Sequence, residues 1–355
     1  MRDSKAWIKR DLPVRSPDRR EHTARTGADA PEIICIGMAL VDSIIKGFDP
    51  TPISASGFRA VSCSLNAGGE AVNEAVAAAR LGVPTGILCA LGEDDAGRMV
   101  ESALRRSGVD TRLIVRSKEH PTPVTTMFVS DDGTRKSVTN RAHTYNFRPE
   151  RYTACLAGAR AVLLGSLFRA PFDDPAVILA VIRAAGEAGL LVFADTKLPN
   201  FRFLKLEDIS GALPYIDFIT PNEDEARYYT GQDMPEAMAD VFLSFGVRNV
   251  VIKLGGRGCF FKNAEFSAAL PAFDIEAVDA TGAGDNFVAG LASEILRGSP
   301  TREALTFASA CGAICTTAVG AGTALRDREQ VLDFLRRHGC GTVNTGDDGT
   351  ESSGI

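Results

Sequence analysis

The sequence has no long hydrophobic run, and none of its apolar stretches approaches the roughly 18 residues typical of a membrane-spanning helix. Its first residues, up to about Pro31, mix arginines with acids and contain no apolar segment of the kind found in secretory signals. We therefore predict a cytoplasmic protein with a disordered extension over residues 1–31. A second disordered segment is predicted over residues 339–355, which are rich in Gly, Thr, Ser and Asp.

Histidine and paired cysteines are also scarce. The 355 residues include four His and eight Cys, and no two cysteines form a CxxC pair. Most cysteines lie in apolar runs, so we expect reduced, buried thiols and no zinc site. The formal net charge of −6 gives no reason to expect nucleic acid or an anionic membrane as a partner.

What remains is the composition of an ordinary globular protein, with 45% hydrophobic and 24% charged residues. From about residue 155 onward, strand patterns alternate with helical patterns. Strands are predicted near 160–165, 190–195, 216–220, 249–254 and 258–262. Helices are predicted near 174–188, 204–212, 223–230, 235–245, 284–297, 301–317 and 328–337. This alternation predicts an α/β fold with a mainly parallel sheet and helices on both faces, in one domain over residues 32–338.

Two β-like runs earlier in the chain, residues 122–130 and 135–140, flank an Asp-Asp-Gly-Thr turn and predict a hairpin. We expect a small β element built from parts of residues 48–66 and 120–145 that projects from the main sheet. Beside a glycine-rich ligand site, such an element would be a lid that excludes water. The alternative is a structural or dimer-forming flap, and the two interpretations are compatible.

The stretch from Asp279 to Gly290 has the features of an anion site. A strand-like run over residues 273–278 precedes it, and an apolar helical pattern follows it. The small residues 282–284 would let a bulky anion approach the unpaired first-turn amides of the helix. Asp285 does not help to hold an anion, but it could take the proton from a hydroxyl that attacks a phosphate. A turn with a helix cap at Asp285 is the alternative, and this stretch alone leaves both open.

Further polar and glycine-rich positions follow predicted strands or open predicted helices. Asp42 comes soon after the first strand, where open α/β sheets bind ligands, although a solvated loop acid is the simpler interpretation. Gly68 and Gly69 precede an Ala-rich helix and expose backbone, while Asn73 offers both a donor and an acceptor from its first turn. The alternative is a flexible turn before a core helix.

Two more stretches occur in the second half of the chain. Asn222 and three acids open a helix, where they could hold hydrated Mg²⁺ or cap the helix. Residues 253–258 contain three glycines, and their amides could wrap phosphates or form a turn between two strands. Neither a Walker A motif nor the GxGxxG fingerprint of dinucleotide-binding proteins fits these stretches.

Together these motifs resemble the ribokinase-like (PfkB) family of carbohydrate kinases over roughly residues 32–337. The matches in the family's order are Gly37 with Asp42, residues 68–73, residues 221–225 and residues 279–285. The resemblance implies a ribokinase-like three-layer fold with a β lid that often forms a homodimer. It also implies transfer of the γ-phosphoryl group of MgATP to a primary hydroxyl of a small carbohydrate, with K⁺ bound in some members.

The resemblance assigns a role to individual residues. Asp285 is expected to be the general base, beside an anion hole of Gly282, Ala283 and Gly284. The expected sugar-binding residues are Asp42, Gly68, Gly69 and Asn73. The expected nucleotide-binding residues are Asn222, Lys253, Gly255, Gly256, Arg257 and Gly258. Glu225 is expected to reach Mg²⁺ through water, and main-chain oxygens near Asp279, Thr281 and Gly320 match the potassium site.

Departures from the family pattern bear on the acceptor. Asn286 follows the expected base where Thr, Ser or Ala is commoner, and residues 161–167 lack the Glu that ribokinase presents near this point. Glu70 and Val72 also differ from the ribokinase run. These departures argue against ribose and favour another furanose, a keto-sugar or a sugar acid. A nucleoside kinase of the same family and a catalytically silent nucleotide-binding member are the alternatives.

Overall fold

The computed structural model describes residues 30–47, 60–130, 135–140 and 147–340, and its centre is a large sheet. The strands of this sheet are β1 Ile33–Ile36, β4 Thr85–Leu88, β9 Ala161–Leu167, β10 Leu191–Thr196, β11 Phe218–Ile219, β12 Asn249–Lys253, β13 Cys259–Asn263 and β14 Ser267–Leu270. Their spatial order is β14–β13–β12–β11–β10–β9–β1–β4. All neighbours are parallel except β12–β13 and β13–β14. The predicted mainly parallel sheet is confirmed.

Helices cover both faces of this sheet. On one face lie α1 Glu70–Arg80, α2 Asp95–Arg106, α6 Ala283–Leu296, α7 Thr301–Thr316 and α8 Arg328–Arg337; on the other lie α3 Pro175–Glu187, α4 Glu223–Thr230 and α5 Pro235–Ser244. Successive strand side chains alternate between the two layers, as Ile33 and Ile34 do. Because both layers are apolar, strands such as β1 are continuous hydrophobic runs. The result is a three-layer α/β fold.

A smaller sheet of four strands projects from this core. Its strands are β2 Leu40–Lys46, β3 Ser62–Gly68, β7 Val124–Val129 and β8 Arg135–Thr139, in the order β3–β2–β7–β8. The predicted hairpin is confirmed, because β7 and β8 pair antiparallel, whereas its turn at residues 131–134 lies outside the described ranges. Two further short strands, β5 Ala90–Gly92 and β6 Val115–Ser117, pair in parallel. The central strand β2 was not predicted, so Asp42 lies within a strand and not in a loop.

Two predicted elements were wrong. Residues 273–278 are not a strand: after β14 the chain meets Pro271, which has no N–H for a sheet ladder, and Val278 N–H donates instead to the Thr316 carbonyl (2.8 Å). Residues 204–212 are not a helix: they contain one short 3₁₀ turn, Leu206–Ile209, and a second, Leu213–Tyr215, follows them. Gly211 and Pro214 disfavour a continuous helix here, while the buried leucines still pack on the core.

The remaining sequence predictions concern cysteines, membrane crossing and the chain ends. All eight cysteines are free, and five of them are buried: Cys35, Cys89, Cys259, Cys311 and Cys315. Within the described ranges no helix has both the length and the apolar character needed to cross a bilayer. The predicted extension and tail lie almost entirely outside the described residues.

Candidate active site

The expected general base lies at the first turn of α6, where it meets α1. Asp285 is 5% exposed, and its Oδ2 accepts a hydrogen bond from Asn73 Nδ2 at 2.7 Å. The two residues are far apart in the sequence, and the packing of α1 against α6 brings them together. Asn73 therefore fixes the orientation of the carboxylate and leaves its other oxygen for a ligand.

The surroundings of Asp285 set its proton affinity. Burial raises the pKa of Asp285 to about 6, the charge of Lys197 lowers it, and the charge of Glu70 raises it. The Lys197 ammonium lies 3.7 Å from the Glu70 carboxylate, and the Tyr229 hydroxyl donates to the Lys197 carbonyl at 2.6 Å. Lys197 thus brings a positive charge to the expected base. This lysine was not predicted from the sequence, although it follows the carboxyl end of strand β10.

The turn before α6 has the geometry of an anion site. Gly282 caps the helix with a left-handed φ of 79°, and Asn286 Nδ2 donates to its carbonyl at 2.8 Å and to the Ala321 carbonyl at 2.9 Å. The Ala283 N–H donates to the Ala280 carbonyl (3.2 Å), so it is less available than the sequence predicts. The next amides belong to a helical first turn and have no acceptor within the helix.

A lysine lies against this turn. A Cβ placed on Gly284 would be 3.0 Å from Lys253 Nζ, so glycine leaves the space between the helix and this ammonium open. Lys253 Nζ also donates to Asp195 Oδ1 at 2.6 Å, and the same oxygen accepts from Thr220 Oγ1 at 2.8 Å. First-turn amides and a held ammonium form a cradle that suits a phosphoryl group.

We expect Gly282→Ala to destabilise the protein strongly. The new Cβ would lie 2.2 Å from Ala321 Cβ, and alanine disfavours a left-handed φ. Gly108→Ala is the matched control, because Gly108 has the same φ of 79° with no heavy atom within 4 Å of the added Cβ. Thermal unfolding should therefore show a much larger loss of Tm for Gly282→Ala than for Gly108→Ala. Equal losses would mean that the close contact with Ala321 is unimportant.

The expected sugar-binding residues meet where the small sheet joins α1. An added Cβ on Gly68 would lie 2.0 Å from Asp42 Oδ2, so glycine makes room for this carboxylate. Gly69 has φ 98°, and its added Cβ would lie 2.4 Å from the Met38 carbonyl oxygen. Burial, followed by the charge of Glu70, raises the pKa of Asp42 to about 6. Asp42 and Asp285 thus both lie near the beginning of α1, where the charge of Glu70 raises the pKa of each.

The expected metal residue caps α4. Asn222 and Glu225 form a reciprocal capping box, in which each side chain accepts from the other's backbone N–H at 2.9 Å. Glu225 Oε2 also accepts from Thr196 Oγ1 at 2.9 Å, and the residue is 4% exposed. Among the residues that the structure describes, no group of three or more His, Cys, Asp or Glu is placed to hold a metal ion. This donor set fits a hydrated Mg²⁺ reached through water and does not form a closed protein cage.

The glycine loop after β12 leaves its backbone accessible. Added Cβ atoms on Gly255 and Gly256 would meet no heavy atom within 4 Å. Gly258 closes the loop with φ 93°, and its Cβ would lie 1.9 Å from the Leu270 carbonyl oxygen. Arg257 pairs with Glu223 at the start of α4, which ties this loop to the capping box.

The expected potassium-site residues also lie together. Asp279 Oδ1 accepts from the Thr281 N–H (3.1 Å) and hydroxyl (2.7 Å), and Asp279 Oδ2 accepts from the Gly320 N–H at 2.9 Å. This carboxylate therefore joins the turn before α6 to the segment after α7.

Comparison with known proteins identifies the family of this chain. Residues 30–328, most of the chain, match the pfkB family carbohydrate kinase description. The chain belongs to the pfkB family. This carbohydrate kinase is a phosphotransferase whose acceptor is an alcohol group.

Individual relatives agree with the family. The ribokinase of Haemophilus influenzae is 28% identical over 276 residues, which cover 76% of this chain and 87% of that protein. Fructokinase-2 of Zea mays is 30% identical over 288 residues, covering 76% of this chain and 85% of that protein. The solved structure of Arabidopsis thaliana ribokinase complexed with ribose and ATP has a TM-score of 0.75 at 25% identity, covering 86% of this chain and 99% of that chain. The ribokinase-like fold of this pfkB kinase is thereby confirmed.

Proposed function

We propose that this pfkB kinase transfers the γ-phosphoryl group of MgATP to a primary hydroxyl of a small carbohydrate. The observation that carries the proposal is the buried Asp285, which Asn73 holds beside the cradle of first-turn amides and the Lys253 ammonium. A carboxylate and an anion cradle at one helix terminus meet the two needs of phosphoryl transfer to an alcohol. The hydroxyl must lose its proton, and the transferred group must be held while it is negatively charged.

Each group has one task in this reaction. Asp285 accepts the proton of the attacking hydroxyl as the bond from oxygen to phosphorus forms and the bond to the leaving ADP breaks. The first-turn amides and Lys253 stabilise the charge on the transferred group. Asp42, Gly69 and Asn73 hold the sugar hydroxyls, and the loop from Gly255 to Gly258 holds the nucleotide phosphates. Glu225 would hold Mg²⁺ through water, and the bound ion would neutralise charge on the phosphates.

The proposed acceptor is a furanose, a keto-sugar or a sugar acid. The ribokinase and fructokinase relatives support small sugars as the substrate class. The Arabidopsis ribokinase, which is complexed with ribose and ATP, supports a sugar and ATP as the two ligands. Glu70, which lies 3.7 Å from the Lys197 ammonium, departs from the ribokinase run of residues. We therefore expect a sugar other than ribose to be the best substrate.

A substrate screen tests this function. ADP formation should be measured for neutral furanoses, keto-sugars, sugar acids and nucleosides, each with and without K⁺. The expected result is turnover with a small sugar. Stimulation by K⁺ would support a cation at Asp279, Thr281 and Gly320. Nucleotide binding without turnover of any acceptor would instead identify a catalytically silent member, and a preference for nucleosides would identify a nucleoside kinase.

The pH dependence of kcat/KM follows from the protonation state of the proposed base, Asp285. Asp285 must be ionised to accept a proton, and its pKa is raised to about 6, so kcat/KM should fall as the pH drops through about 6. Because the pKa of Asp42 is also raised to about 6, Asp42→Asn is the necessary control. This variant should have a higher KM and keep the acid limb. Loss of the limb in Asp42→Asn would assign the titration to Asp42.

A homodimer formed through the small sheet, which we call the lid (β2, β3, β7 and β8), is part of the proposal. Val61, Leu65 and Val138 on or beside its strands are 84%, 60% and 65% exposed, and a second lid would cover such apolar side chains. The proposal also includes a cytoplasmic location. The eight free cysteines support this location, because a reducing compartment would maintain them as thiols.

A further inference from the structure

One buried acid next to the expected base has no role in the mechanism above. Glu74 follows Asn73 on α1 and is 0% exposed. Its Oε2 lies close to strand β9, where a Cβ on Gly165 would be only 3.0 Å away. Neither carboxyl oxygen of Glu74 has a hydrogen-bond partner in the described part of the chain, and the same holds for Asp195 Oδ2. A buried polar group without a partner costs free energy and calls for a functional reason.

The charges that face Glu74 come from several elements. Burial raises its pKa well above the ordinary range, and the carboxylates of Asp285 on α6, Asp195 on β10 and Glu70 on α1 raise it further. Lys253 on β12 acts in the opposite direction. The neighbouring group on β1 is the Cys35 thiol, whose own pKa is raised by burial and by Glu74. Glu74 is fully buried, no donor is bonded to its carboxyl oxygens in the described part of the chain, and carboxylates predominate around it, so its neutral, protonated form is favoured.

We propose that Glu74 is a buried residue that must stay neutral, and that its ionisation stops phosphoryl transfer by placing another negative charge beside Asp285 and the phosphate cradle. The inference rests on the proposed kinase reaction. The step itself is loss of one proton from the Glu74 carboxyl to solvent, with no other bond changed. The transferred group is anionic throughout the reaction, so a buried negative charge nearby opposes its arrival and the charge that develops on it.

Glu74→Gln separates charge from shape, because the amide has nearly the same size and is neutral at every pH. With the sugar identified by the screen, wild-type kcat should fall by about tenfold per pH unit once the pH is high enough to ionise Glu74. Glu74→Gln should remain active there and should keep the acid limb of Asp285. Glu265→Gln, at an exposed position between β13 and β14, should behave as the wild type at both ends of the profile.

A second measurement does not depend on turnover. The folded pKa of Glu74 is raised above its unfolded value, so the stabilising effect of its proton is fully present below the unfolded pKa, about 4.3. It is lost progressively as the pH rises toward the folded pKa. Relative to Glu74→Gln, the Tm of the wild type should therefore decrease with rising pH, and Glu265→Gln, which keeps Glu74, should follow the wild type.

The two measurements distinguish failure of the inference about Glu74 from failure of the proposed kinase function. A wild-type profile without an alkaline limb, or a limb that persists unchanged in Glu74→Gln, overturns the inference whatever the Tm values show. A Tm difference that is independent of pH overturns it as well, since Glu74 would then be ionised in the folded protein. Absence of turnover with every sugar would contradict the proposed function itself, and the Tm series would still report the protonation of Glu74.

Discussion

Replacing Asp285 with asparagine is expected to lower kcat by about 10²- to 10⁴-fold, the contribution that a general base makes to proton transfer. The amide oxygen of asparagine can still accept the hydrogen bond from Asn73, so the geometry of the α1–α6 contact should persist. Nucleotide affinity should change little, because ATP is proposed to lie on the loop from Gly255 to Gly258 and on Lys253. The loss should therefore appear in kcat and not in the dissociation constant for ATP.

Single-turnover kinetics and calorimetric titration with ATP separate these two quantities. Asp274→Asn serves as the control, because Asp274 is an exposed aspartate in the irregular segment before α6. It should match the wild type in both measurements. An Asp285→Asn enzyme that retains full turnover would refute the assignment of the base.

Replacing Lys253 with methionine is expected to reduce both stability and catalysis. The substitution leaves the Asp195 carboxylate, which is 1% exposed, without its cationic partner. Loss of one member of a buried ion pair costs about 3–5 kcal/mol, which is a large part of the stability of a typical domain. Loss of the ammonium from the phosphate cradle should also lower kcat by about 10²- to 10³-fold.

A double variant distinguishes the two effects. Lys253→Met with Asp195→Asn removes the orphaned charge, so its free energy of unfolding should recover toward the wild-type value while kcat stays low. Lys262→Met on the neighbouring strand β13 is the control. Its surface ion pairs with Glu236 and Asp240 should contribute at most about 1 kcal/mol in total. If the double variant is as unstable as Lys253→Met, the pairing with Asp195 is not what Lys253 supplies to stability.

The sequence predicted those features that depend on local patterns. Buried strands such as Ile33–Ile36 are continuous apolar runs, and α1 is an Ala-rich run, so both are visible in a short window. The glycine positions next to Asp285 and Asp42 were also predictable, because close backbone approach and left-handed φ values require glycine. The loop between β12 and β13 and the capping box of Asn222 were identified for similar local reasons.

The features that were missed depend on contacts between distant segments. Residues 273–278 have a strand-like composition, yet α7 provides the acceptor for Val278 N–H and the sheet does not. The pairing of Lys253 with Asp195 joins residues 58 positions apart, so no pattern within either stretch predicts it. Glu74 looked like part of a core helix, and only its burial against β9 and beside Asp285 distinguishes it. Tertiary packing decides these cases and local propensity does not.

The hydrogen bond between Asn73 and Asp285 spans 212 positions of the chain. While the protein is being synthesised, the proposed acceptor-binding half emerges from the ribosome long before the proposed base. Forming this contact requires closing a very long loop, which is characteristic of slowly folding, high-contact-order topologies. Recovery of activity during refolding should therefore be among the last signals to return, and an N-terminal fragment that ends before α6 should be inactive because it lacks the proposed base.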